Sequence, residues 1–463
     1  MDRVDLRPRS MRHPTHIGIL TFALTVLPLS ALSASLNPGE MAARAAELMQ
    51  DGQFALARSY LAPALIHPAL SPEQRAHAYY LSGLSFVAER QFVSARKDFH
   101  RALEFFEDHG GAQAALGNLY TQGLGIETNV LLGITLFSRA AELGDTRALF
   151  YLGHAYIKGL GVEQDLARGR ALLAQAADAG EVTAMVHLGA SYRAPDADPP
   201  EPVAALDWYD RAIEAGDASA MVAKAYMLRK GELDAAQTTY PEAARKLLEQ
   251  AAALHSDPAI LALAHIHLNG EGVPKDPATA HRLLAEAAQR RSSPDVLFLL
   301  GHLQDVGLGT ARDLAAARES YKAAARLGHP QAMSRLAQQL MQQADPAAHA
   351  QAGYWLAQAA RNQTPRALND YAWFLATSPV HRVRDGALAV THARAAVAKV
   401  SEPGYLDTLA AAYAEAGDFE AAVQTQRQAI ADAAAQEPEL VAELTARLAV
   451  FEARKPWRES PAN

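Results

Sequence analysis

The chain has 463 residues, 50% of them hydrophobic, with 43 basic and 51 acidic side chains and a net charge of −8. That hydrophobic share excludes global disorder, and a mildly acidic chain without a basic cluster points away from nucleic acid and from anionic membrane surfaces as main partners. There is no cysteine, which excludes disulfides, a thiol nucleophile and a lipidated N-terminus.

Residues 1–34 form a separate object. Arg3, Arg7, Arg9 and Arg12 precede an apolar run from Ile17 to Leu29. The run is short for a membrane span. Small residues follow, and cleavage after Ser33 or Ser35 fits a secretory signal peptide. Met11 offers a second start with a shorter basic region. The alternative is an uncleaved membrane anchor.

Beyond this segment, alanine dominates and favours helix. Length alone would suggest about three globular domains, but a repeat overrides that. Gly117, Gly153 and Gly189 step by 36 residues, as do Tyr120, Tyr156 and Tyr192. Such a period marks a solenoid of helical pairs. From about 110 to 365 the pattern gives seven units. Each first helix carries a small residue: Gly117, Gly153, Gly189, Ala225, Ala264, Gly301, Ala337. Each second helix carries an alanine: Ala140, Ala176, Ala212, Ala251, Ala287, Ala324, Ala359. Three residues earlier stands a large apolar side chain: Phe137, Leu173, Tyr209, Leu248, Leu284, Tyr321, Leu356. Small residues let paired helices approach, and the large one fills the space beside them. Gly-x-Gly turns such as Gly159-Leu160-Gly161 end first helices. Asp165, Asp276 and Asp313 stand at the starts of second helices.

This pattern, Leu-Gly-x-x-Tyr-x-x-Gly-x-Gly-Val followed by Asp and Ala-Ala-x-x-Gly, resembles the Sel-one-like repeat, a relative of the tetratricopeptide repeat. Leu152 to Gly180 matches it nearly throughout. The resemblance implies an all-α, right-handed α-solenoid of antiparallel helix pairs. Departures fall at Ala194–Pro202, at Tyr240-Pro241 and in the seventh unit, where irregular loops are expected. Both flanks resemble the tetratricopeptide version. Over 35–109 the signature is Gly83, Phe86, Ala95, Phe99 and Ala102, with a weaker copy at Phe54, Ala57 and Ala64. Over 366–455 it is Leu368–Thr377 and Tyr405–Ala422, with a capping helix from about Pro438 to Arg454. Residues 456–463 are expected to fray.

No motif for catalysis emerges. The Gly-x-Gly turns follow helices and lack Gly-Lys-Ser/Thr, so they are not phosphate loops. There is no Gly-x-Ser-x-Gly elbow. Seventeen histidines invite a metal reading, but His265 and His267 point to different sides of a helix. No cofactor or metal is expected.

The resemblance places the residue after each small Gly or Ala on the inner, concave side. That series reads Asn118, His154, Ala190, Tyr226, His265, His302, Gln338 and Trp373. Three residues on, it reads Thr121, Ile157, Arg193, Arg229, Leu268, Asp305, Met341 and Ala376. The candidate partner-binding residues are Asn118, His154, Tyr226, Arg229, His265, His302, Gln338 and Trp373. Alternatively, they pack half-buried between neighbouring helices. The resemblance implies a non-enzymatic interaction scaffold of the bacterial cell envelope, periplasmic unless the N-terminus anchors it. Its partner would be a protein or peptide held along the groove. Alternatives are an assembly factor associated with peptidoglycan or exopolysaccharide, or a wall-modifying or β-lactam-hydrolysing enzyme. The relatives behind the enzyme reading staple each repeat with a disulfide, which this chain lacks.

Overall fold

The computed structural model describes residues 36–194, 201–232, 239–290, 292–343 and 345–459. The expected signal segment and residues 195–200 of the Pro/Asp-rich stretch lie outside them. Among the described residues there are twenty-three α-helices, two short 3-10 turns and no strand. No described helix is long and apolar enough to cross a membrane. The chain divides between Ser191 and Tyr192 into two compact units.

In the first unit run α1 (Pro38–Gln50), α2 (Phe54–Ile66), α3 (Pro72–Ala88), α4 (Phe92–Phe105), α5 (Gly110–Gln122), α6 (Val130–Glu142), α7 (Thr146–Lys158) and α8 (Leu166–Asp178). Helix α9 (Val182–Arg193) runs through the division. The second unit continues with α10 (Pro202–Glu214), α11 (Ala218–Lys230), α12 (Pro241–Ala253), α13 (Asp257–Asn269), α14 (Pro277–Ala288), α15 (Pro294–Val306) and α16 (Leu314–Arg326). It ends with α17 (Pro330–Met341), α18 (Pro346–Ala360), α19 (Pro365–Thr377), α20 (Gly386–Lys399), α21 (Pro403–Glu415), α22 (Phe419–Gln436) and α23 (Val441–Glu452).

The helices begin and end where local chemistry dictates. Asp165 accepts from the Arg168 N–H at 2.9 Å and Asp276 from Thr279 at 3.0 Å, satisfying donors with no partner inside the helix. Gly159 closes α7 at φ 67°, a conformation that costs glycine nothing. The chain then reaches the next helix in a fixed register. The N–H of Asn129, Asp165, Asp276 and Asp313 each donates to a carbonyl nine residues back, on Tyr120, Tyr156, His267 and Gln304. Glu201 makes the same bond to Tyr192 at 2.8 Å, so the third repeat keeps this register.

The size pattern read from the sequence forms the core. Phe137, Leu173, Tyr209, Leu248, Leu284, Tyr321 and Leu356 are all buried, and so are the seven alanines that follow them. A Cβ on Gly153 would stand 2.9 Å from the Gly169 carbonyl, and one on Gly169 would stand 2.8 Å from the Gly153 carbonyl. Helices α7 and α8 therefore meet backbone to backbone.

First helices of successive repeats also touch one another: α1 with α3, α3 with α5 and α5 with α7 in the first unit, α13 with α15, α17 with α19 and α19 with α21 in the second. Among the described residues, second helices make no comparably close approach to each other. Each unit therefore carries its first helices on the inner side.

Residues 456–463 were expected to fray. The Glu459 N–H donates to the Thr377 carbonyl at 2.9 Å, holding the chain against the end of α19. Residues 460–463 lie outside the described residues.

Candidate functional site

The first unit brings two of the candidate residues together. Asn118 on α5 and His154 on α7 line one pocket of about 340 Å3. Its wall is aromatic. Phe137 stacks on Tyr151 at 4.9 Å between centroids, and Phe150 and His154 meet the His187 ring at 5.0 and 5.2 Å. Burial pushes the His154 and His187 imidazoles below the ordinary histidine value, and Lys158 adds to it. Both rings are then uncharged at neutral pH, and the pocket suits an apolar or aromatic side chain.

In the second unit Tyr226, Arg229 and His265 lie outside the clefts that line α15, α17 and α19. The Tyr226 ring is exposed and lies 4.8 Å from the Arg193 guanidinium. Arg193 in turn pairs with Glu232 at 2.5 Å. Arg229 forms an ion pair with Glu271, and His265 is exposed.

His302, Gln338 and Trp373 sit in a row of clefts. His302 and Gln338 line one of about 540 Å3 with Phe298, His329, Arg335 and Arg366. The His329 ring stacks on Phe298 at 4.4 Å. Its Nδ1 accepts from the Ala332 N–H at 3.1 Å, so Nε2 carries the proton toward Asp295 at 3.3 Å. Burial lowers its basicity despite that carboxylate. Arg335 reaches the Gln338 side-chain oxygen at 3.4 Å. Among the described residues neither Arg335 nor Arg366 forms an ion pair, although both lie near Asp370. Burial holds the Asp370 carboxyl above the usual range, with Ser334 bonded to it. Among the described residues the buried Asp370 Oδ2 and Asn369 Oδ1 have no hydrogen-bond partner, and both residues line the next cleft with Gln338 and Trp373.

The sequence reading missed Phe150, His187, Phe298, Arg335 and Asp370. They sit three or four residues before the ladder positions, on the same helix face. The series three residues after the ladder is mixed: Thr121 lines the pocket of Asn118 and Met341 the clefts of Gln338, whereas Ile157 and Ala376 are buried. A helical-face count toward each N-terminus would have found the missing side chains.

Six copies of the Sel1 repeat match this chain, over residues 111–145, 146–181, 182–217, 218–256, 257–292 and 294–329. Residues 111–329 are thus built of Sel1 repeats. Repeats of this kind build helical scaffolds that typically mediate protein–protein interaction. The chain is similar to a protective antigen of uropathogenic Escherichia coli with an SLR fold, at 20% identity over 91% of this chain and 92% of that one, with a TM-score of 0.47. It is also similar to a Sel1 repeat protein from Oxalobacter formigenes, at 21% identity over 73% and 93%, with a TM-score of 0.47. No curated protein matches it. The Sel1 copies supply the candidate residues from Asn118 to His302. Gln338 and Trp373 come from helix pairs beyond the last matched copy.

Proposed function

We propose that this protein is a non-enzymatic scaffold that holds an extended segment of a partner protein along the first helices of its second unit. One observation carries the reading. Clefts of about 540, 270 and 400 Å3 follow one another over α15, α17 and α19, with Gln338 shared by all three and Trp373 by the last two. A small substrate calls for one enclosed pocket, whereas a row of open ones suits an extended chain whose side chains enter in turn. Arg335 and Arg366 suit an acidic side chain on it. The envelope setting rests on the signal-like residues 1–34.

Site-specific photo-crosslinking in a Gram-negative host tests both parts. A photoreactive residue at His302 or Gln338 should trap one discrete partner. The same residue at Arg282 on α14, where it only pairs with the exposed Glu286, should trap none. Equal yields at all three positions would move the binding surface elsewhere. N-terminal sequencing of the recovered protein should begin near Ser33–Ser35, and a membrane-bound product that keeps residues 1–30 would replace secretion with anchoring.

A further inference from the structure

The end of the inner face already holds a ligand, and it belongs to the chain itself. After α23 the backbone reverses at Arg454, which adopts φ 54°, and residues 456–459 lie across the C-terminal end of α19. Four carbonyls at a helix end lack partners within the helix. In α19 the Phe374 carbonyl accepts from Ser378 and that of Leu375 from Asp385, both at 3.1 Å. The remaining two are satisfied by the tail. Ala376 accepts from the Arg458 guanidinium at 3.1 Å and Thr377 from the Glu459 N–H at 2.9 Å.

Side chains complete the site. The Glu459 carboxylate accepts from the Trp373 indole N–H at 2.9 Å. Arg458 pairs at 2.5 Å with Glu415, a carboxylate only 13% exposed that Arg384 also holds at 3.0 Å. The Trp457 ring lies 5.5 Å from the Arg447 guanidinium, which is 5.3 Å from Trp373 and is fixed by Asp407 at 2.9 Å. The receptor therefore offers two carbonyls, a buried carboxylate, one indole N–H and a cation. Its complement is an aromatic residue, an arginine and an acid, in that order.

The docked segment follows the last described helix, so its release unfolds no described helix. Beside Glu459 a cleft of about 400 Å3 stays open, lined by Gln338, Met341, His349 and Trp373. We propose that residues Trp457–Glu459 are an exchangeable, self-supplied occupant of this site, and that the partner segment displacing them carries the same aromatic–Arg–acidic order. This rests on reading the inner face as a peptide-binding surface, and adds that its last subsite is closed in cis.

The test uses the full chain and a fluorescent peptide with the sequence of residues 456–463. A variant combining Trp457→Ala, Arg458→Ala and Glu459→Ala should bind the peptide in a saturable anisotropy titration. The parent should bind at least about tenfold more weakly, because its tethered tail competes at an effective concentration of roughly millimolar. Adding Glu415→Gln to the variant should remove binding. Equal binding by parent and variant, or none by a variant of unchanged helicity, would overturn the proposal and leave the tail a structural cap. Arg458→Ala alone repeats the test should the triple variant not fold. Loss of folding in both would also overturn it. None of these outcomes moves the crosslinks at His302 or Gln338, so the broader peptide-binding reading stands or falls separately.

Discussion

At the scale of single residues, burial decides how the inner face responds to pH. His154 and His187 touch edge to face at 5.2 Å, and burial lowers both below the ordinary histidine value. Their folded-state pKa lies below the unfolded value of about 6.5, so the unfolded chain binds more protons between the two. The stability that the neutral rings contribute is present above about pH 6.5 and is lost as pH falls toward the folded value. His77, His109, His329 and His392 are lowered for the same reason and act in the same direction. Replacing His187→Gln removes one titrating group, whose pKa burial lowers first and the neighbouring His154 and Lys158 lower further. The fall in Tm between pH 7.5 and 5.5 should shrink by about a degree or more relative to the parent. An unchanged fall would mean that His187 titrates alike in both states. The identity of this pair was only half legible. His154 follows the small Gly153 and was readable as a ladder position, but His187 stands three residues before its own ladder site, where no size pattern marked it.

At the scale of elements, the two glycines of each turn have different tasks. The first closes the helix. The second lies against the start of the second helix one repeat back: Gly125 on Phe92 and Val93, Gly161 on Val130, Gly272 on Pro241 and Gly309 on Pro277. The atoms met differ in kind. A Cβ on Gly161 would come within 2.6 Å of a Val130 methyl, which can rotate away, whereas one on Gly309 would come within 2.1 Å of the Pro277 carbonyl oxygen. Both glycines also adopt positive φ, 70° and 76°. Gly161→Ala should therefore cost about 1 kcal/mol, chiefly through the backbone conformation. Gly309→Ala should cost about 2–3 kcal/mol, because α14 must also shift. Urea unfolding of the two variants ranks them, and equal costs would refute the carbonyl contact. The helix-closing half of this motif could be read from sequence by its turn chemistry. The inter-repeat half could not, since the contact joins residues more than 30 positions apart whose spacing carries no composition signal. The docked tail was hidden for the same reason: Glu459 meets Trp373 across 86 residues.

At the scale of the whole molecule, contacts run between neighbours in sequence, and that determines how damage spreads. Helix α7 touches α5, α6 and α8 in the first unit, and in the second α15 touches α13, α14 and α16 and α19 touches α17, α18 and α20. Stability is then a sum of repeat and nearest-neighbour contributions in place of one shared core. Gly153→Leu places a branched side chain where a single Cβ would already stand 2.9 Å from the Gly169 carbonyl and 3.0 Å from Leu173. The variant should lose about 2–4 kcal/mol locally. In a single-core protein that loss would lower the protection of every slowly exchanging amide together. Here it should fall on α7 and α8, extend to α5 and α6, and leave α19 to α22 as slow as in the parent. Amide hydrogen exchange resolved by peptide reads this directly. A uniform loss of protection across residues 36–459 would mean that the chain unfolds as one cooperative body and that the nearest-neighbour account is wrong. A local loss would also show that clefts over α15 to α19 survive damage far away in sequence, as a modular binding surface requires.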